Sequence, residues 1–102
     1  MATVNWGGHE FTVYDPANAT WEDVAGVYIL AGIEADGCWH ASYIGIAHSF
    51  RDRIPNHDRW SEARTRGATH IHALPVSQGV IRAHIEQTLI ARYHPYLNRH
   101  YL

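Results

Sequence analysis

Alternating apolar and polar residues divide the chain into short segments typical of strands and helices. Residues 26–30 and 39–44 are rich in β-branched and aromatic side chains, and Asp36-Gly37 between them is typical of a tight hairpin turn. We therefore expect two antiparallel strands joined by a two-residue turn. Residues 9–14 also alternate and predict a short edge strand.

The expected turn fixes the register of this hairpin. It places Leu30 opposite Tyr43, so that Tyr28 and Tyr43 share one face at a diagonal spacing of roughly 7–8 Å, within reach of two aromatic rings. A slip of one residue would separate the two tyrosines. The other face carries three apolar residues that we expect in the core: Val27, Ile29 and Ile44.

After Gly45 the spacing of apolar residues changes from alternation to a period typical of helices. Ser49 is a suitable N-cap for a helix beginning at Phe50, and Pro55 is expected to kink or end that helix. Residues 56–64 predict a continuation or a new helix, which Gly67 ends.

The last third predicts a strand over residues 69–76 and a long helix from a Ser77 cap to Tyr93. His94-Pro95 is expected to end that helix. Its core stripe is expected to consist of Ile81, Ile85 and Leu89.

These elements predict an α+β fold: a small three-stranded, mainly antiparallel sheet flanked by helices. Residues 1–102 are expected to form one domain with its core over about residues 24–98. Residues 1–23 are expected to form a short N-terminal extension, with the edge strand and one or two helical turns at residues 20–23, where a capping threonine precedes a carboxylate.

Composition narrows the class of protein. At 102 residues, 46% hydrophobic and 18% charged, the chain is typical of a single globular domain. No apolar run approaches the roughly 20 residues that cross a bilayer, so we expect no membrane association and a cytoplasmic location. The single cysteine, Cys38, excludes an intrachain disulfide and suits a reducing compartment.

Charge is distributed unevenly along the chain. The formal net charge is −2, which argues against a binder that relies on overall positive charge. However, residues 1–50 carry six acids and no arginine, whereas residues 51–102 carry all eight arginines and four acids. This asymmetry is typical either of a side that faces a polyanion or of uneven surface charge without function.

Nine histidines suggest a metal hypothesis. His70 and His72 project from one face of a predicted strand, which is compatible with a transition-metal site or with polar residues on an exposed face. A histidine-rich metal-binding protein therefore stays an alternative.

Two short motifs, together with residues that follow them in the chain, indicate a more specific chemistry. Residues 26–28 (Gly-Val-Tyr) and 43–45 (Tyr-Ile-Gly) resemble the paired motifs of the GIY-YIG nuclease family. Arg53 follows the second tyrosine by ten residues, and His57 follows four later, as in that family. Glu86 resembles the family's metal-binding glutamate, and Asn98, twelve residues on, resembles its asparagine.

The resemblance implies a GIY-YIG-like fold and a metal-dependent endonuclease that hydrolyses DNA phosphodiester bonds, leaving 5′-phosphate and 3′-hydroxyl ends. It implies one Mg²⁺ or Mn²⁺ ion on Glu86. Arg53 would stabilise the anionic transition state. Tyr28, assisted or replaced by His57, would accept a proton from water, and Tyr43 would position water or phosphate.

Further residues are expected to bind substrate, with DNA as the partner. They are Gly45, His48, Arg51 and Asn98. One site cuts one strand, so double-strand cleavage would need a homodimer or sequential nicking. The alternative from another class is a GIY-YIG-like module that binds nucleic acid or protein without cutting.

Overall fold

A computed structural model describes the backbone of residues 2–101 and the side chains of residues 2–98. Its five strands are β1 (Thr3–Trp6), β2 (His9–Tyr14), β3 (Gly26–Ile33), β4 (Trp39–Ala47) and β5 (His70–Pro75). Its helices are α1 (Phe50–Arg53), α2 (Trp60–Thr65), α3 (Gly79–Tyr93) and a C-terminal 3-10 helix (Tyr96–Tyr101). Within the described residues, no helix is both long and apolar enough to span a bilayer.

All five strands belong to one antiparallel sheet in the order β1-β2-β5-β3-β4. The α+β class is confirmed, but the prediction of three strands is wrong. The N-terminal residues form the hairpin β1-β2, and β2 pairs with β5, so this segment extends the sheet. Burial explains the addition, because Trp6 and Phe11 from these two strands lie in the core.

The predicted helical turn at residues 20–23 is also wrong, since no helix forms there. The carbonyl of Glu22 instead accepts hydrogen bonds from the backbone N–H groups of Val24 and Arg51. Trp21 packs between Tyr14 and Phe50, with ring centroids 4.7 Å and 5.9 Å away. Burying this indole holds the segment extended against the start of α1.

The β3-β4 hairpin has the predicted pairing at the tyrosines, although its turn differs. Leu30 lies opposite Tyr43 as expected. Near the turn, three residues instead of two separate the paired Glu34 and Cys38, which shifts the register by one residue. The shift ends at a bulge between the pairs Leu30–Tyr43 and Ala31–Ala41, where Ser42 has no partner on β3. The longer turn and the bulge at Ser42 offset each other, so the two tyrosines still share a face.

The sheet separates two apolar clusters. On one side, which we call the tyrosine face, Tyr28 and Leu30 pack with α1 and α2. On the opposite side, the α3 face, Val27, Ile29 and Ile44 pack against α3, as their alternation predicts. Residues adjacent in β3 or β4 therefore serve different helical layers.

Helix α3 departs from its predicted pattern near its start. Ile85 and Leu89 are buried as expected, but Ile81 is 47% exposed and Arg82 is buried instead. The Arg82 guanidinium donates to the carbonyls of Val76 and Ser77, which joins the connection after β5 to the helix. Gln78 occupies the N-cap position without a side-chain hydrogen bond, so the predicted Ser77 cap is wrong. His94 ends the helix, as predicted, in the left-handed conformation.

The expectation that His72 lies on an exposed strand face is wrong. This side chain is fully buried on the α3 face, where its Nδ1 accepts a hydrogen bond of 2.9 Å from the Trp6 indole. The Trp39 ring packs edge-on against it at 4.5 Å. Burial, reinforced by neighbouring His70, lowers the pKa of His72 to about 4, so the ring is neutral in the folded protein.

We predict that this buried histidine makes the fold acid-sensitive. Because its pKa is lower in the folded than in the unfolded chain, the unfolded state binds the proton first and stability falls as pH falls from about 6.5 towards 4. Replacing His72 by Gln should flatten the fall by up to about 3 kcal/mol, as measured by urea unfolding across that range. The exposed His84→Gln variant is the control, and identical pH dependence in both variants would contradict the prediction.

Candidate active site

A short hydrogen bond joins the two halves of the chain on the tyrosine face. The Tyr28 hydroxyl oxygen lies 2.5 Å from His57 Nε2. Tyr28 is 1% exposed and is held by β3, whereas His57 is 8% exposed and comes from the connection between α1 and α2. Pro55 ends the helical segment of Arg53, and the turn after it directs the histidine back towards the sheet.

The backbone fixes the direction of this hydrogen bond. The backbone N–H of Arg59 donates to His57 Nδ1 at 3.0 Å, so a neutral ring carries its proton on Nε2. Burial, followed by the charge of Arg53, lowers the pKa of His57 to about 4, which keeps the ring neutral near pH 7. His57 therefore donates its Nε2–H to Tyr28 rather than accepting the phenol proton.

Arg53 completes the polar surroundings of the phenol. Its positive charge is close enough to the Tyr28 hydroxyl to lower the pKa of the phenol, and its Nη2 lies 3.1 Å from the exposed Asp58 carboxylate. The side chain is 38% exposed, so it contacts both the buried phenol and solvent. One cation thus connects Tyr28 with a surface that a phosphate can approach.

Burial dominates the acidity of Tyr28. Loss of water raises the pKa of this phenol above its ordinary value, and the nearby Tyr43 raises it further. The positive charge and hydrogen bond of Arg53 oppose that rise. A phenol with an ordinary pKa near 10 is already protonated at neutral pH, and burial favours that form further, so additional positive charge at the site would be needed to favour the phenolate.

Tyr43 lies next to this pair, and Gly45 makes room for both tyrosines. The ring centroids of Tyr28 and Tyr43 are 6.2 Å apart, and the ring centroids of Tyr43 and His57 are 5.1 Å apart. A Cβ atom at Gly45 would lie 2.6 Å from the Tyr28 hydroxyl oxygen and 2.8 Å from Tyr43 Cε2. The glycine of the second motif is therefore required by packing at the site.

Asn98 closes the outer edge of the sheet. Its side-chain oxygen accepts from the backbone N–H of Ile44 at 2.8 Å, and its amide nitrogen donates to the Ile44 carbonyl at 2.9 Å. Because β4 is an edge strand, the amide replaces part of a missing neighbour. Both groups of Asn98 are thus engaged with the strand, so this residue positions the residues beside Tyr43.

His48 and Arg51 lie near the entrance. The exposed His48 lines a cavity of about 340 Å³ together with Arg53 and Asp52, at the end of β4. Arg51 is exposed and pairs with Asp23 at 3.4 Å and with Asp52 at 3.2 Å. Phosphate binding by Arg51 would therefore compete with two carboxylates.

Glu86 belongs to the helix that packs on the other face of the sheet from the tyrosine cluster. It lies on α3, whose neighbouring Ile85 packs against the α3 face, and its Oε1 accepts a hydrogen bond from Gln87 at 3.1 Å. The carboxylate is half-buried, and burial raises its pKa. The structure thus brings Tyr28, Tyr43 and the two basic residues together, with Glu86 on the other helical layer.

The donor chemistry of Glu86 fits a hard divalent cation. A half-buried carboxylate whose pKa is raised by burial is stabilised by a nearby positive charge. Mg²⁺ needs few protein carboxylates because it keeps several of its waters. Among the described residues there is no group of three or more His, Cys, Asp and Glu side chains that could form a fuller cage.

Two residues that contact Arg53 and His57 were not predicted from the sequence. Asp58 pairs with Arg53, and the backbone N–H of Arg59 selects the histidine tautomer. The charged residues of the 51–59 segment are compatible with several ion pairs, and which of them form depends on the turn after Pro55, which spacing alone does not define.

Comparison with known proteins gives no family assignment. Neither a protein-family model, nor a curated protein, nor a solved structure matches the chain.

We predict that Gly45→Ala disrupts the tyrosine pair. The added methyl group would overlap both rings, and overpacking of this kind costs about 1–3 kcal/mol. Thermal unfolding and the NMR signals of the tyrosine rings measure the effect. In the control Gly79→Ala, the atom nearest to the added methyl group is a nitrogen of the flexible Arg82 side chain at 3.5 Å, so stability should be unchanged or increased. Equal behaviour of the two variants would contradict the packing role.

Proposed function

We propose that this protein is a metal-dependent endonuclease of the GIY-YIG type that hydrolyses DNA phosphodiester bonds. The observation that carries the proposal is the convergence of Tyr28, Tyr43, Arg53 and His57 on one face of the sheet, with the Tyr28 oxygen 2.5 Å from His57 Nε2. Their spacing in the sequence suggested this cluster, and their contacts give it a chemical role.

Water is the nucleophile in the proposed reaction, and Tyr28 is the proton acceptor. The oxygen of water bonds to phosphorus, the bond from phosphorus to the 3′ oxygen breaks, and the water proton passes to the Tyr28 phenolate. The 3′ oxygen takes a proton from solvent, which leaves 5′-phosphate and 3′-hydroxyl ends. The His57 Nε2–H stabilises the phenolate before this transfer.

The reaction also requires positive charge near the phosphate, to stabilise the negative charge of the transition state. Arg53 acts on the phenol through its charge and is also part-exposed, so it can bond a phosphate oxygen in the transition state. A phosphate there would compete with Asp58 for the guanidinium. Glu86 would hold one Mg²⁺ or Mn²⁺ ion, which supplies further positive charge for the phosphate and the leaving oxygen when bound.

The alternative of a binding module that does not cut also has a specific observation in its favour. Glu86 lies on the helix that packs against the opposite face of the sheet, and burial keeps Tyr28 protonated near neutral pH. A protein with this arrangement would bind a phosphate at Arg53 without activating water. Metal-dependent cleavage separates the two functions.

We predict that DNA cleavage depends on Mg²⁺ or Mn²⁺, on Tyr28 and on Glu86. With end-labelled single-stranded and duplex DNA, EDTA should abolish cleavage, and Tyr28→Phe or Glu86→Gln should slow it at least about 100-fold. Glu10→Gln, an exposed change on β2, is the matched control and should cleave normally. A parallel RNA substrate measures selectivity for DNA.

The endonuclease proposal fails if the wild-type protein leaves all substrates intact with either metal. It also fails if Glu86→Gln cleaves as fast as the wild-type protein. Binding of the same DNA without cleavage would favour the non-cutting module.

We also predict that the cleavage rate rises with pH. Because the pKa of Tyr28 is raised, the phenolate fraction increases about tenfold for each pH unit below that pKa, so a plot of log rate against pH should have a slope near one above neutrality. If His57 were the base, its pKa of about 4 would give a constant rate over the same range. Single-turnover rates distinguish the two, and a flat profile would exclude Tyr28 as the base.

A further inference from the structure

A cavity of about 340 Å³ lies beside the Tyr28–His57 pair, over the same face of the sheet. Leu30 and Ile71, both buried, contribute to its lining, and His57 lines it as well. Leu30 follows Tyr28 by two residues on β3, so their Cα atoms are roughly 7 Å apart on one face. The cavity therefore begins at the next side chain along β3 on the face that carries the Tyr28 phenol.

Two indole rings and one guanidinium group distinguish this cavity. Trp21 lines it from the β2-β3 connection, and Trp60 and Arg64 line it from α2. The guanidinium carbon of Arg64 lies 4.7 Å from the centroid of the Trp60 ring. The described residues that line the cavity include no carboxylate, so its charge is complementary to a nucleic-acid strand.

We propose that this cavity binds an unpaired nucleobase of the DNA strand that is cut. Bases displaced from a duplex, or lying in single strands, stack on aromatic side chains and on arginine planes. The cavity volume lies at the lower end of the range for small-ligand sites, roughly 300–1,000 Å³. The cavity thus provides both the stacking surfaces and the space that a single base requires.

The position of the cavity defines the substrate class. This inference rests on the proposed function, because it places a phosphate at Arg53 and the neighbouring base next to Trp60. A fully paired duplex would first have to release a base, whereas single-stranded DNA or an unpaired junction offers one directly. Stacking tolerates all four bases, so we expect a preference for unpaired structure rather than for sequence.

Tryptophan NMR signals test base binding without requiring cleavage. In EDTA, a short poly(dT) strand should shift the indole N–H signals of Trp21 and Trp60, and the same strand with abasic residues should shift them much less. Trp6 and Trp39, which lie on the α3 face, are internal references and should stay unchanged. Unmoved cavity signals, or equal shifts with the abasic strand, would overturn the proposal.

Substitution of Trp60 tests the contribution of stacking. Trp60→Ala should weaken poly(dT) binding about 5- to 150-fold and leave abasic-strand binding unchanged, and Trp60→Phe should restore most of the loss. Circular dichroism of each variant checks folding. An equal loss for both strands would overturn base stacking. Free dAMP binding as tightly as poly(dT) would instead assign the cavity to a free nucleotide.

A cleavage assay separates this inference from the proposed function. Wild-type protein that binds the strand through Trp60 but cuts no DNA would refute the endonuclease and leave the base site standing. Conversely, cleavage at equal rates with and without abasic residues near the cut would refute the base site and leave the endonuclease standing.

Discussion

The hydrogen bond between Tyr28 and His57 is the contact that joins the sheet to the irregular helical layer on the tyrosine face. One partner belongs to a buried strand, and the other belongs to an irregular connection between two short helices. Helices as short as α1 and α2 have little stability by themselves. Their contacts with the sheet, through Phe50, Ile54 and Ala63, therefore decide where His57 is placed. The hydrogen bond of the site thus depends on the packing of this helical layer against the sheet.

The cost of burying these polar groups explains their protonation states. Both Tyr28 and His57 are neutral because burial opposes charge on either ring, and the Arg59 backbone then determines which nitrogen donates. Arg53 remains charged because it reaches solvent and pairs with Asp58. The site consequently combines a neutral hydrogen-bonded pair inside the protein with a cation at its surface. A bound phosphate would add its negative charge on the side of the cation.

The sequence predicted the relation between the two tyrosines better than it predicted the turn that joins their strands. Alternation specifies which side chains share a face, and that pattern survived because a bulge at Ser42 offset the longer turn. The strand at β1 was missed because four residues give little periodicity, and its pairing depends on burial of Trp6 against distant residues. Likewise, Arg82 is buried where Ile81 was expected, because its guanidinium donates hydrogen bonds to the carbonyls of Val76 and Ser77 just before α3. The pairing of β1 thus depends on residues far apart in the chain, whereas the burial of Arg82 depends on carbonyls only five and six residues before it.

The edge strand β4 links the two helical layers, and this bears on how Glu86 and the tyrosines can act together. Tyr43 and Ile44 are adjacent in β4, so their side chains point to opposite faces. Asn98 holds both backbone polar groups of Ile44, and the chain reaches Asn98 directly from the end of α3. The end of α3 is thereby fixed relative to Tyr43 at this edge. Glu86 is on the same helix, so the contact of Asn98 with β4 constrains where the Glu86 carboxylate lies relative to the tyrosine cluster. Asn98 therefore has a positioning role that requires no contact with substrate.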